Sequence, residues 1–326
     1  MKKIFITGGA GYVGSQLVPK LLDLDYHVTV LDLMLYGEDV LHDHENLKKI
    51  KGDIRDIALL EKIIPGHNIV IHLACISNDP SFELNPSLGK SINLDAFEPL
   101  VKISNKNKIN RFIYASSSSV YGIKKEKNVT EDMKLEPLTD YSKFKGDCEK
   151  ILNNYKSENF ITTTIRPSTV CGYAKRQRLD LVVNILTNHA FHNREIKVFG
   201  GDQLRPNVHI DDMVDSYLAV INAKDEKVNG QIFNVGYKNQ SVNELANDVK
   251  EIIGDDIKII NTKSDDNRSY HVSSQKIKEV LGFETRYTVK NAVSDLKDAF
   301  EKKLLINTFE NELFFNIKRM NNLNLK

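Results

Sequence analysis

The chain has 326 residues, enough for one large domain or for a nucleotide-binding domain with a smaller companion. Its 45 Lys and Arg against 44 Asp and Glu leave a net charge of +1, which excludes a global field that attracts nucleic acid or an anionic membrane. The three cysteines form neither a CxxC metal pair nor a disulfide framework, so we expect no metal site and a reducing compartment. The apolar run behind Lys2 and Lys3 is too short for a signal peptide, and no run approaches the ~18 residues of a membrane span, so we expect a cytoplasmic protein.

Short apolar runs rich in β-branched residues alternate with longer helical patterns along the first two-thirds of the chain. This alternation is typical of βαβ units and predicts an α/β fold with a parallel sheet. Helices are predicted at residues 14–24, 96–105 and 180–188. The predicted strands, in chain order, are 3–7, 27–32, 69–73, 111–116, 161–166 and 231–235.

The strand at 231–235 has the pattern of one buried on both faces, so we expect the chain to return there to the first sheet. We therefore predict one domain over residues 1–171 with about 207–236, and a second over about 172–206 with 237–326. Residues 304–326 carry apolar side chains at helix-like spacing, and packing on their own subunit is favoured over a dimer contact.

Three glycines, Gly8, Gly11 and Gly14, stand between the first predicted strand and the first predicted helix. Glycine there permits a tight turn and lets a pyrophosphate approach bare backbone at the positive end of the helix. Asp32 ends the second strand, at about the ~20-residue interval expected for a carboxylate that binds the adenosine ribose. It would repel a 2′-phosphate, so NAD is favoured over NADP. Asp53 follows a possible third strand and is a candidate for the adenine amino group.

Tyr141 and Lys145 form a YxxxK pair, whose spacing puts both side chains on one face of a helix. A tyrosine hydroxyl, with an unperturbed pKa near ~10, is a poor base at neutral pH, and an adjacent ammonium favours its phenolate. Tyr141 is then a candidate base for a hydroxyl that loses hydride to NAD. Upstream, residues 116–119 are four serines at a strand end, where a hydroxyl could orient the reacting oxygen.

Taken together, these residues resemble an extended short-chain dehydrogenase/reductase of the nucleotide-sugar epimerase and dehydratase group, over roughly residues 1–299. The resemblance implies a Rossmann-like, doubly wound parallel sheet that binds NAD, a smaller α/β domain that binds a nucleotide sugar, and commonly a homodimer. It implies Tyr141 as the catalytic base, Lys145 as its activator and Ser117 as the catalytic serine. The cofactor-binding residues implied are Gly8, Gly11, Tyr12, Val13, Gly14, Asp32, Asp53, Ile54, Leu73, Ala74, Asn93, Tyr141 and Lys145. The candidate substrate-binding residues are Ser117, Ser118, Thr169, Arg178, Arg205 and Arg268.

Some positions depart from the family's pattern. Dehydratases of the 4,6-type share an Asp-Glu pair directly after the catalytic residue, and this chain has Ser118 and Ser119 in those positions. The absence of that pair disfavours elimination of water. Thr169 replaces the usual substrate-side Asn of UDP-galactose 4-epimerases, and Ser77 replaces a Lys that contacts cofactor phosphate. The run 172–180 is unusually basic for the substrate side, and is either a solvated helix entrance or part of a pocket for a phosphate or a larger sugar.

The resemblance implies NAD-dependent oxidoreduction at C4 of a nucleotide-activated sugar. A 4-epimerase is favoured. The first alternative is a 4-dehydrogenase that releases the 4-keto sugar, and less favoured alternatives are a 4-reductase and a 4,6-dehydratase. A hypothesis of a different class is a non-catalytic NAD-sensing protein. Such a protein is expected to have lost one member of the Tyr141 and Lys145 pair, and this chain keeps both.

Overall fold

The computed structural model describes residues 2–126, 128–263, 269 and 271–325. The strands are β1 (Lys3–Thr7), β2 (His27–Asp32), β3 (Leu47–Lys51), β4 (Ile69–His72), β5 (Arg111–Ala115), β6 (Ile161–Pro167), β7 (Thr169–Cys171), β8 (Glu195–Phe199), β9 (Leu204–His209), β10 (Gln231–Val235), β11 (Lys238–Ser241) and β12 (Lys258–Thr262).

The α-helices are α1 (Gly14–Asp23), α2 (Ile57–Ile63), α3 (Asp79–Glu83), α4 (Pro86–Lys90), α5 (Phe97–Lys106), α6 (Asp140–Tyr155), α7 (Val182–Asn193), α8 (Ile210–Asn222), α9 (Asp225–Val228), α10 (Val242–Ile253), α11 (Gln275–Leu281), α12 (Val289–Glu301) and α13 (Asn316–Leu323). A π-helical turn at Ser91–Asp95 and 3₁₀ turns at Ser118–Tyr121 and Glu312–Phe314 complete the described elements. Each of these helices is too short or too polar to cross a bilayer.

The central sheet is parallel throughout, in the order β10-β6-β5-β4-β1-β2-β3 for the described residues. Alternate residues of β1 pack on opposite faces, as the period of a strand dictates. Ile4 and Ile6 join the core that holds α1 and α8, whereas Phe5 joins the core that holds α5 and α6. Helices therefore cover both faces, and the predicted doubly wound sheet is confirmed, including its return strand at 231–235.

Smaller sheets lie beyond the central one. Among the described residues, β7, β9 and β11 form a sheet of three strands, and β8 pairs with β12. Helices α7, α10 and α12 bury an apolar core that includes Val183, Leu245 and Val293. The boundaries predicted between the two domains stay predictions.

The C-terminal stretch is less helical than its apolar spacing indicates. Of its described residues, only those of α13 and of the turn before it are helical, because the preceding residues form a loop that packs on the chain itself. Leu305 and Phe314 are buried with Phe300 of α12, and Met320 of α13 joins the core beneath α5 and α6.

Candidate active site

A cleft of about 560 Å³ opens at the carboxyl ends of the central strands. In an open parallel sheet this is the edge where ligands bind, because loops diverge there to opposite faces. The loops after β1, β2, β4 and β5, the segment after β7, and the C-terminal residues all line it. The cleft therefore gathers residues that are scattered over nearly the whole chain.

The glycine-rich loop forms one wall of this cleft. A Cβ atom on Gly8, whose φ is +74°, would lie 2.5 Å from the backbone nitrogen of Ala74. A Cβ on Gly14 would lie 2.6 Å from the Cα of Gly9. At Gly11 the nearest atom beyond its chain neighbours would be the Gly8 carbonyl oxygen, at 3.2 Å. Gly8 and Gly14 thus allow the loop to pack tightly, and the backbone forms a cradle for a phosphate at the start of α1.

The residues between these glycines hold the loop to the rest of the molecule. The Tyr12 hydroxyl donates a hydrogen bond to the carbonyl of Gly172 at 2.6 Å and accepts one from Asn184 at 3.0 Å. Val13 caps α1 and lines the cleft. Tyr12 also lines the cleft, so its ring stands between the cradle and the segment after β7.

Asp32 stands at the end of β2, beside the cradle. Its carboxylate accepts hydrogen bonds from the backbone nitrogens of Ala10, at 3.0 Å, and Met34, at 2.8 Å. Burial raises the pKa of this carboxyl, while the two backbone bonds oppose that rise. The group lies where a ribose diol would sit beside a phosphate bound to the cradle.

Of the other residues predicted to hold the cofactor, four line the cleft and Asn93 does not. Ile54, Leu73 and Ala74 line the cleft. Asp53 lines it too, but its carboxylate is paired with Arg55 at 2.6 Å. Asn93 is buried and does not line the cleft. Its side-chain amide bonds both the N–H and the carbonyl of Ile76, at 2.8 and 2.9 Å, and so fixes the segment after β4.

Tyr141 and Lys145 lie in the first two turns of α6, and both line the cleft. The Lys145 ammonium is 5.8 Å from the centre of the Tyr141 ring and donates a hydrogen bond to the Ala115 carbonyl at 2.6 Å. Burial raises the pKa of Tyr141, although the charges of Lys145 and Arg178 oppose the rise. In the protein alone, burial outweighs the opposing effect of these two charges on the Tyr141 pKa.

The four serines at residues 116–119 make different contacts. The Ser116 hydroxyl donates to Glu149 and is buried, so it serves the structure. Ser117 and Ser119 share a hydrogen bond of 2.8 Å between their hydroxyls, and the Ser119 backbone nitrogen donates to Ser117 Oγ at 3.1 Å. Ser117, Ser118 and Ser119 all line the cleft with Tyr141.

Other candidate substrate residues also lie at the cleft. Thr169 on β7 and Arg205 on β9 line the cleft. Arg178 lines it as well, where its guanidinium bonds Asp180 Oδ1 at 2.9 Å and Ser77 Oγ at 3.3 Å. Arg268 lies outside the described residues, so its predicted role has no structural account.

Several lining residues were not singled out by the sequence patterns. Asp79 follows β4 and accepts a hydrogen bond from the Thr139 hydroxyl. Cys75 and Tyr36 also line the cleft. Asn316, the first residue of α13, lies between the loops after β2 and β4. Arg176 belongs to the basic run noticed in the sequence. Only the tertiary fold brings Asn316 to this place.

The arrangement fits a dinucleotide. A tight glycine loop, a buried carboxylate and a Tyr-Lys pair line a single cleft. NAD bound here would supply a hydride acceptor.

Comparisons with known proteins show which family this chain resembles. A model of the NAD dependent epimerase/dehydratase family matches residues 4–236. A UDP-glucose 4-epimerase of Lactobacillus helveticus is 27% identical over 306 residues, which are 87% of this chain and 92% of the relative.

Solved structures extend the likeness to the whole fold. The UDP-glucose 4-epimerase of Thermotoga maritima, solved with UDP-glucose, superposes with a TM-score of 0.84 at 27% identity and covers 93% of this chain and 100% of its own. MoeE5, solved with UDP-glucuronic acid and NAD, gives a TM-score of 0.81 at 25% identity and covers 92% of this chain and 99% of its own.

Proposed function

This chain belongs to the NAD dependent epimerase/dehydratase family and is an NAD-dependent enzyme, and we propose that it is a 4-epimerase of a UDP-activated sugar. The observation that carries the proposal is the single cleft that joins the glycine cradle and Asp32 to Tyr141, Lys145 and the serines. Relatives named as UDP-glucose 4-epimerases, alike over nearly the full chain, support the choice of UDP.

Each catalytic residue has a distinct task in this proposal. Tyr141 takes the proton of the sugar's C4 hydroxyl as the carbon is oxidised, and Ser117 donates a hydrogen bond to the same oxygen. Lys145 stabilises the phenolate and binds the nicotinamide ribose. After the sugar has turned over in the cleft, Tyr141 returns the proton to the C4 oxygen on reduction, which inverts that carbon.

The substrate's diphosphate needs cations. We assign this role to Arg178 and Arg205, which line the cleft, and to Arg268. Thr169 and Ser118 supply hydroxyls that contact the sugar. Gly8, Gly11, Tyr12, Val13 and Gly14 hold the cofactor's phosphates, and Asp32, Asp53, Ile54, Leu73 and Ala74 surround its adenosine and ribose; Asn93 supports them through Ile76.

The carboxylates of the cleft favour epimerisation over loss of water. Among the described residues they are Asp32, Asp53, Asp79 and Asp180. Each accepts a hydrogen bond from another group, and Asp53 and Asp180 are paired with arginines. Ser118 and Ser119 hold the places where a dehydratase has its acid and base, so elimination lacks a free proton donor.

We also propose that the enzyme works in the cytoplasm as a homodimer. The three thiols support a reducing compartment, since none is paired in the structure. Sedimentation of the purified full chain tests the dimer directly, and a monomer at micromolar concentration would contradict it.

The test uses UDP-, GDP-, CDP- and dTDP-sugars, with NADH absorbance and product stereochemistry followed together. We expect the UDP-linked 4-epimer to form without net NADH. The Tyr141→Phe variant should lose at least about 100-fold in kcat, because the proton has no acceptor. Tyr155→Phe, on the same helix with its hydroxyl on Glu98, is the matched control and should stay within about twofold.

Two outcomes would contradict the proposal. NADH that accumulates in proportion to product shows a 4-dehydrogenase. Turnover that survives Tyr141→Phe unchanged shows that another group is the base.

A further inference from the structure

A buried arginine outside the residues assigned above lies on the wall of the cleft. Arg176 is 4% exposed, and its guanidinium carbon stands 3.5 Å from the centre of the Tyr36 ring. Its Nη2 donates a hydrogen bond to Asn316 Oδ1, and its Nη1 makes a long contact of 3.5 Å with the Gln177 carbonyl. The partners of this guanidinium are thus neutral groups.

The guanidinium lacks a direct ion pair and one acceptor. Within the described part of the chain, no carboxylate oxygen lies within 4.0 Å of it, and its buried Nε has no hydrogen-bond partner. Burial lowers the pKa of Arg176 to about 10, and the more distant charge of Asp180 opposes that fall only in part. A buried cation that no anion contacts costs several kcal/mol. An anion supplied by a ligand would remove that cost.

The position of Arg176 identifies the part of the cleft involved. Its backbone nitrogen donates a hydrogen bond to Ser15 Oγ at 3.2 Å, in the first turn of α1. The segment is therefore fastened to the end of the helix that attracts phosphate. The charge of Arg176 also acts on Asp32, the carboxylate at the ribose position. An anion held between the α1 terminus and Arg176 lies next to that ribose.

Asn316 holds this guanidinium in place from the other end of the chain. Its Oδ1 accepts from Arg176 and, at 3.0 Å, from the Tyr36 hydroxyl. Its Nδ2 donates to Ser77 Oγ at 2.9 Å, and its backbone nitrogen donates to Asp180 at 3.0 Å. One buried amide thus joins α13 to the loop after β2, the loop after β4 and the basic run.

We propose that Arg176 binds the diphosphate of the bound dinucleotide, and that Asn316 positions it, so that α13 is part of the cofactor site. The proposal rests on the placement of NAD given under Proposed function. A diphosphate is favoured over a 2′-phosphate, because a phosphate on the ribose would face the carboxylate of Asp32.

Dinucleotide fragments separate these possibilities without any sugar turnover. Dissociation constants for ADP, adenosine and 2′-AMP are obtained with the full-length protein, by displacement of fluorescent NADH whose own affinity is measured for each variant. Arg176→Gln should weaken ADP about tenfold or more and leave adenosine within about twofold, because only ADP carries the diphosphate. Lys175→Gln removes the same charge from the exposed neighbouring residue and should change neither the ADP nor the adenosine dissociation constant.

Asn316→Ala tests the positioning role independently, including the case in which Arg176→Gln does not fold. It should weaken ADP about threefold with adenosine unchanged, since the cation remains but loses its orientation. Arg176→Lys should recover part of the ADP affinity.

Three outcomes would overturn the proposal. Equal losses for ADP and adenosine mean that the residues support the pocket rather than the phosphates. A loss confined to 2′-AMP assigns Arg176 to a ribose phosphate. Unchanged ADP affinity in both variants removes the arginine from the site, whatever the enzyme's substrate.

Discussion

The Glu149→Gln substitution would remove the counter-charge of Arg166 while nearly preserving the side chain's shape. Glu149 lies one turn beyond Lys145 on α6, and its carboxylate accepts from Arg166 Nε at 2.9 Å and Nη2 at 2.6 Å. The Ser116 hydroxyl donates to it as well. The two charged side chains are only 3% and 4% exposed.

Because this pair is buried, losing one partner leaves a charge that water cannot reach. Such a loss costs about 3–5 kcal/mol of unfolding free energy. The matched control is Asp147→Asn on the same helix, where Asp147 and Lys150 form an exposed pair at 2.9 Å. Exposed pairs contribute about 0.5 kcal/mol or less. The contrast between the variants should therefore exceed about 2 kcal/mol.

Urea unfolding followed by far-ultraviolet circular dichroism measures both variants, and kcat is measured alongside. We expect kcat of Glu149→Gln to fall more than KM changes, since the pair fixes α6, with Tyr141, against β6. Replacing both partners by Leu and Met should recover much of the stability. An unfolding free energy for Glu149→Gln within about 1 kcal/mol of the Asp147→Asn value would refute the reasoning.

Two further substitutions probe the cradle and the base of the cleft. Gly14→Ala should abolish NADH binding or stable folding, because the added Cβ would clash with the backbone of Gly9. Gly146→Ala in α6 is the control: its Cβ would meet only a Leu135 methyl at 3.5 Å, so it should be neutral or stabilise the fold by up to about 1 kcal/mol. Equal behaviour of the two variants in a binding titration and a thermal melt would contradict this. Burial lowers the pKa of His72 to about 3 from 6.5, so the neutral imidazole stabilises the fold above pH 6.5, and that contribution is lost as the pH falls, by roughly 1.4 kcal/mol per unit. His72→Gln should flatten the fall in unfolding free energy between pH 7 and pH 5, and an identical acid slope in both proteins would exclude His72 as its source.

The sequence predicted the central sheet and the two ends of the cleft because both depend on local patterns. Alternating periodicity locates β1 and β2, and the spacing of Gly8, Gly11 and Gly14 follows from the turn between a strand and a helix. Tyr141 and Lys145 are four residues apart, so a single helix places them.

Other features arise only from contacts between distant segments. Asn316 reaches Arg176 across 140 residues and Ser77 across 239, and no local pattern records either contact. The direction of the Tyr141 pKa likewise follows from burial, which depends on the whole fold. By contrast, Arg55 is only two residues from Asp53, so the ion pair between them can be predicted from the sequence alone.

The C-terminal helix α13 adds residues to the cleft that are synthesised after the central sheet. The ribosome makes Gly8 and all seven described strands of the central sheet, the last of which ends at Val235, well before Asn316 and Met320. A nascent chain therefore holds every strand of the central sheet before it has the residues that close the cleft beside Tyr36. A protein domain fused directly behind α13 would stand beside the cleft, because Met320 and Leu325 line it.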